Sequence, residues 1–206
     1  MTLRNRVRPD GTFEAVAARG TLTGNRGILH VADRQMGPAL WTHRAWICCT
    51  LDWQGRRRTV MSGRTWTELF FLDEAVAMAA GHRPCGYCRR AAFDRFKAAW
   101  AHAFGPWPGV QAVDAALHRD RAVPGARALR THPASAATLP HGAVFHWHGQ
   151  DWLMGPDGMR PFAPDGWGPA QPPAKTPVLL RTPPTLVTIL AAGYTPHLHP
   201  SATTCP

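Results

Sequence analysis

The chain reads as an α+β protein, and three observations predict that class. Residues 69–72, Leu-Phe-Phe-Leu, form a short apolar run of buried-strand type, followed at once by an alanine-rich stretch. Residues 89–104 and 110–121 carry apolar side chains at three- and four-residue steps, the mark of amphipathic helices. From 142 to 154 the pattern changes to short strand-like runs separated by turn residues. The expected organisation is a small, basic β-hairpin/helix domain over 1–105, a helical connector over 106–138, and a β-rich region over 139–206 ending in a short helix. With 206 residues, 45% of them hydrophobic, and nine tryptophans, the chain has the means to bury a core.

Taken in order, residues 1–31 are a basic lead-in to β structure, with Asp10-Gly11 as a turn. The segment 19–30 holds Gly20, Gly24 and Gly27 around Asn25-Arg26. Such a loop lets backbone N–H groups approach an anion, with Arg26 as the charged arm. Residues 39–61 are expected to form a β-hairpin: 45–51 as one strand, 52–55 as the turn, and 56–61 as the return strand, which begins with Arg56, Arg57 and Arg58. Successive strand side chains face opposite ways, so Cys48 and Cys49 cannot both address one metal ion. One of them is expected at the metal and the other in the core.

After the run at 69–72, Asp73 is placed to cap a helix, with Glu74 in its first turn. The alanines that follow continue the helix and Gly81 ends it in the left-handed region. Pro84, Cys85, Gly86 and Cys88 then form a knuckle whose two thiols converge on one point, as a tetrahedral zinc site requires. Cys-x-x-Cys also serves redox chemistry, but the thioredoxin-like pattern sets the pair at a strand-to-helix junction within a βαβ unit, and here a strand and helix lead into the knuckle instead. The remaining zinc ligands are expected from Cys48 or Cys49, His30, His82 or His118, with a strand cysteine as first choice. Cys205 has no such context. This cysteine usage fits a reducing compartment.

Strand, short helix and AAG-x-RPC-x-x-CRR, over residues 67–90, resemble the second half of the metal-binding domain of Ada-type DNA alkylation-repair proteins. The resemblance implies that Cys85 and Cys88 are two of four zinc ligands, and that a zinc-bound thiolate at Cys48 or Cys49 accepts an alkyl group. Ada-type domains place their first thiols in an early loop; Gly24 and Gly27 stand in that region here, and no cysteine does. The piece PCGYCRR also resembles the PCGxCRQ segment of cytidine deaminases, in which both thiols hold a catalytic zinc.

Beyond the knuckle, Phe93, Phe96 and Trp100 form the apolar stripe of the helix at 89–104, which Gly105 stops. In the next helix Val110, Val113 and Leu117 make the seam. His118 lies four residues after Asp114, so a carboxylate could orient its imidazole. His118 and Asp120 are the candidate catalytic pair, with His118 as a further zinc ligand and Asp120 as proton carrier. Residues 122–140 are expected as loop. His146 and His148, two apart, are expected on one strand face. Residues 164–177 are proline-rich and expected to be extended. Thr182 is expected to cap a last helix that Gly193 ends, followed by a tail without packing periodicity.

Formal charge is +10, and all basic residues except Lys97 and Lys175 are arginine, whose planar fork suits phosphate. Residues 1–103 hold 16 basic and 8 acidic side chains. The expected function is therefore a zinc-containing, nucleic-acid-binding protein, with DNA the expected partner, acting in DNA repair or modification. Arg26, Arg56, Arg57, Arg58, Arg89 and Arg90 would hold phosphate. One alternative is a zinc-dependent hydrolase such as a nucleobase or nucleotide deaminase, although the H-x-E that such enzymes carry upstream is absent and His118-Arg119-Asp120 lies downstream. The other is a non-catalytic structural or interaction domain. No apolar run approaches the roughly 20 residues of a membrane span, and the first residues lack a signal-peptide core, so a cytoplasmic protein without membrane partners is expected.

Overall fold

The computed structural model describes residues 2–56 and 59–203; Arg57, Arg58 and Cys205 lie outside the described residues. The class is α+β, as predicted. Two six-stranded sheets and four helices make up the described fold. The first sheet uses β1 (Arg6–Val7), β2 (Phe13–Glu14), β3 (Leu22–Asn25), β6 (Ile47–Thr50), β7 (Leu69–Phe71) and β8 (Arg83–Pro84), in the order β2-β1-β7-β3-β6-β8. A separate ribbon pairs β4 (His30–Ala32) with β5 (Gln35–Met36). Helix α1 (Glu74–Ala79) joins β7 to β8, and α2 (Arg90–Phe104) and α3 (Val110–Arg121) follow. The second sheet takes β9 (His132–Ser135), β10 (Val144–Trp147), β11 (Gln150–Gly155), β12 (Gly158–Ala163), β13 (Gly166–Trp167) and β14 (Pro177–Leu180), in the order β13-β12-β11-β10-β14-β9. Helix α4 (Pro184–Ala191) comes last.

The local signals around the knuckle hold. Asp73 accepts a hydrogen bond from the Val76 backbone N–H at 3.0 Å, capping α1. Gly81 takes φ 83° and returns its N–H to the Met78 carbonyl; a Cβ there would also strike the Arg121 side chain. Phe93, Phe96 and Trp100 are buried on α2, and Val113 and Leu117 on α3, whereas Val110 is exposed.

Other expectations are corrected by long-range pairing. The described residues of the return strand expected at 56–61, namely 56 and 59–61, do not form a strand. Both edges of β6 are already taken, by β3 antiparallel and by β8 parallel. Part of the segment expected as loop, 122–140, is strand β9. Thr182 does not cap α4; its hydroxyl accepts from the Val144 N–H at 2.9 Å and ties β10 to the chain before the helix. His148 sits in the turn after β10 at φ 48°, so it does not share a strand face with His146. His146 instead meets Asp151 at 2.9 Å.

The apolar core runs across the boundary placed near residue 139. One cluster combines Leu69, Phe71, Cys48 and Val76 with Val144, Leu153, Phe162 and Trp167. Two fully buried carboxylates fasten the C-terminal tail to this core. Asp73 accepts from Trp167 Nε1 at 2.7 Å and from the His199 N–H at 3.0 Å. Glu74 accepts two hydrogen bonds from Arg89, both at 2.8 Å, one from the Tyr194 hydroxyl at 2.6 Å, and one from the His197 N–H at 2.8 Å. The tail that lacks periodicity is thus held by polar bonds instead of an apolar stripe.

Removing one member of a buried ion pair leaves the other charge stranded. Glu74→Gln is therefore expected to lower stability by about 3–5 kcal/mol in urea unfolding. Glu14→Gln, which breaks the half-exposed pair with Arg8, should cost under about 1 kcal/mol.

Candidate metal centre

The register of β6 against β8 decides which cysteine joins the knuckle. Cys48 pairs with Pro84, so the next residues along the two parallel strands, Cys49 and Cys85, come side by side. The Cys85 N–H donates to the Cys48 carbonyl at 2.9 Å and holds that alignment. The ligand atoms of Cys49, Cys85 and Cys88 all lie within 4.8 Å of one another, close enough to bind one metal ion. A tetrahedral zinc with ~2.3 Å bonds to sulfur keeps its sulfurs roughly 3.8 Å apart, so the spacing fits such an ion. Among the described residues no other His, Cys, Asp or Glu belongs to this group.

The thiols already share hydrogen bonds. Donation from Cys49, and then from Cys88, draws Cys85 well below the ordinary thiol range, to about 2. The Tyr87 N–H adds a further bond to Cys85 Sγ at 3.4 Å. Cys49 is correspondingly raised by its bonds to Cys85 and Cys88 and by burial. A metal ion would replace these shared protons with bonds to thiolates.

Cys48 faces the other way, into the core. It is fully buried, and burial, reinforced by Glu74, pushes its thiol up to about 12. Arg89 Nη1 donates to its sulfur at 3.0 Å while the same guanidinium grips Glu74. Cys48 is thus a core residue on the buttress behind the centre, and Cys49 is the cysteine that the strand presents to the other two thiols.

The other expected ligands are occupied elsewhere. His30 bonds Thr67 Oγ1 through Nδ1 at 2.7 Å and the Gly63 carbonyl through Nε2 at 2.8 Å. His82 is fully buried; its Nε2 accepts from Arg26, and burial, then Arg26 and Arg121, hold its imidazole well below the usual range. His118 packs edge-on to Trp41 and Trp46, at 5.8 and 6.0 Å between ring centres. Its expected orienting carboxylate, Asp114, pairs with Arg83 through both oxygens, at 2.7 and 2.9 Å. Asp120 receives the Thr185 N–H at 2.9 Å and the Thr185 hydroxyl at 2.5 Å, and so caps α4. The structure does not bring His118 and Asp120 to the cysteines.

The arginines divide in the same way. Arg26 is fully buried, donates to the Gly11 and Ala80 carbonyls, and lies 4.4 Å over the Trp46 ring, so it is not the arm of an anion loop. Gly24, in that expected loop, lies within strand β3, where a Cβ would strike the Ile47 carbonyl. Arg89 is committed to Glu74 and Cys48. Arg56 and Arg90 are exposed.

Cys49, Cys85 and Cys88 line a cavity of about 440 Å³ whose wall also includes Trp53, Trp66, Glu68 and Arg56. Trp53 and Tyr87 face each other at 5.4 Å, and Tyr87 is largely exposed. The Trp53 indole N–H is buried without a hydrogen-bond partner among the described residues. The two tryptophans and Glu68 were not singled out from sequence, because nothing local to them marks a site. Searches against protein-family models, curated proteins and solved structures find no match to this chain.

In cobalt-loaded protein, Cys49→Ser is expected to reduce the thiolate-to-metal charge-transfer absorbance by about a third, as one of three thiolates is lost. Cys48→Ser should keep one ion per chain while lowering thermal stability. Loss of the ion in Cys48→Ser with retention in Cys49→Ser would reverse the assignment.

Proposed function

We propose that this is a zinc-containing nucleic-acid-binding protein that acts in DNA repair or modification. The observation that carries the reading is the cavity beside the three thiols. It combines flat aromatic walls, which suit an unstacked base, with an arginine at its edge. It also runs on: Leu51, Val60 and Phe70 border both this cavity and a second one, of about 430 Å³, lined by Arg6 and Arg19. A strand following that path would pass Arg56 in the first cavity and Arg6 and Arg19 in the second. The Trp53 N–H, without a partner among the described residues, offers a donor to an acceptor on a base edge.

Three thiolates leave a fourth position on a tetrahedral ion, and bound zinc would supply a Lewis acid or sustain a nucleophilic thiolate there. Of Cys48 and Cys49, Cys49 lines the cavity and Cys48 does not, so the alkyl-acceptor role implied by the Ada-type resemblance falls to Cys49. The hydrolase reading is favoured by one observation: a carboxylate, Glu68, lines the same cavity as the cysteines, although its oxygen Oε2 is engaged by the Met61 N–H at 2.8 Å. In that reading Glu68 takes the proton-carrying place expected of Asp120.

Binding of a short single-stranded DNA at several salt concentrations tests the reading. Affinity should fall steeply with salt, and Arg19→Ala and Arg56→Ala should each reduce the log–log slope by about 0.7, the single-strand value for one phosphate contact. Salt-independent binding, or slopes unchanged in both variants, would overturn it. Release of ammonia from a free nucleobase or nucleoside, abolished by Glu68→Gln with the metal retained, would instead establish the hydrolase.

A further inference from the structure

Away from the cysteines, a third cavity of about 590 Å³ opens where α3 ends. Its lining includes Trp41, Arg44, His118, Arg119 and Arg130, and no aspartate or glutamate. The helix-end dipole favours a cation at Arg119, in the last turn of α3. It does not account for Arg44 or Arg130, which arrive from separate segments. No ion pair engages any of the three among the described residues.

The surroundings sharpen this positive field. Behind His118, Trp46 is clamped between two buried guanidiniums, Arg26 at 4.4 Å and Arg121 at 3.9 Å from its ring centre. Their hydrogen-bond partners are neutral groups, and Arg121 Nε has none among the described residues. Arg121 donates to the Gly81 and Arg44 carbonyls, and the Arg44 bond of 2.5 Å fixes the backbone of the residue at the cavity. Arg130 is steadied by donation from Nε to the Ala122 carbonyl at 2.8 Å, which leaves its terminal nitrogens available. His118 makes no hydrogen bond through either ring nitrogen among the described residues, and its Nδ1 is buried. Burial, then Arg121 and Arg44, hold its imidazole below the usual range.

We propose that this cavity binds a nucleotide phosphate, with Arg44, Arg119 and Arg130 as its cationic contacts, His118 as a donor, and the half-buried Trp41 as the face for the base. Guanidinium forks from three directions match the oxygens of a phosphate, and a flat indole beside them suits a base. The volume accommodates one nucleotide, within the usual range for small-molecule sites. The site is separate from the metal centre and stands whether or not the cysteines bind zinc.

Isothermal titration of the whole chain with inorganic phosphate, 5′-AMP and a deoxythymidine tetranucleotide tests the proposal, alongside NMR titration of the His118 ring. Saturable binding of 5′-AMP or the tetranucleotide is expected, weakened about tenfold by Arg44→Ala and by Arg119→Ala. Trp41→Leu should remove the advantage of either nucleotide over inorganic phosphate. Bound ligand should raise the His118 pKa, because a neighbouring anion favours imidazolium. Tighter binding of 5′-AMP identifies a free nucleotide as the source; tighter binding of the tetranucleotide identifies a strand. Lys97→Ala, on the solvent side of α2, serves as the control. Absence of saturable binding in the millimolar range, binding insensitive to both arginine variants, or a His118 resonance unmoved by any ligand would overturn the assignment.

Discussion

Two adjacent carboxylates, Asp73 and Glu74, are buried at the start of α1, and most of the structure is tied to them. Their position follows from the strand before them: β7 is apolar on both faces and delivers its end into the middle of the protein. Asp73 spends one oxygen on the helix cap and the other on Trp167 and the tail backbone. Glu74 spends both on Arg89, Tyr194 and His197. Charges this deep are tolerated only when every lone pair is matched, and here the partners come from β13, from the tail and from the turn after the cysteine knuckle. Arg89 then passes the constraint to Cys48, and the pairing of β6 with β8 passes it to Cys49 and Cys85.

The parts of this arrangement that depend on neighbouring residues were legible in the sequence. The cap at Asp73, the stop at Gly81, the aromatic stripe on α2 and the turn of Cys85-x-x-Cys88 each declare themselves within a few positions. What could not be read depends on partners tens of residues away. Alternation showed that Cys48 and Cys49 must part company, but choosing between them needs the parallel register with Pro84. Asp120 looks like a proton carrier beside His118 until Thr185, 65 positions later, claims its carboxylate. The tail at 194–199 has no apolar rhythm because hydrogen bonds to Asp73 and Glu74 replace one.

Charge was the least reliable guide. Arg26, Arg83, Arg121 and Arg160 are buried, and Arg89 is nearly so. Each donates to carbonyls or carboxylates of the core, and two of them stack on Trp46. Arginine can do this because its planar guanidinium is weakly hydrated and offers five donors in a fixed plane. Net charge therefore overstates the basic surface. The arginines left for partners are fewer than the composition implies.

The fastening of the tail has a consequence for synthesis. A chain emerging from the ribosome presents Cys49, Cys85 and Cys88 long before Tyr194 and His197 exist. Until those residues arrive, Glu74 lacks half of its partners and the Arg89 brace behind the knuckle is unsecured. The brace behind the knuckle is thus complete only when the last residues of the described chain have folded back to Glu74.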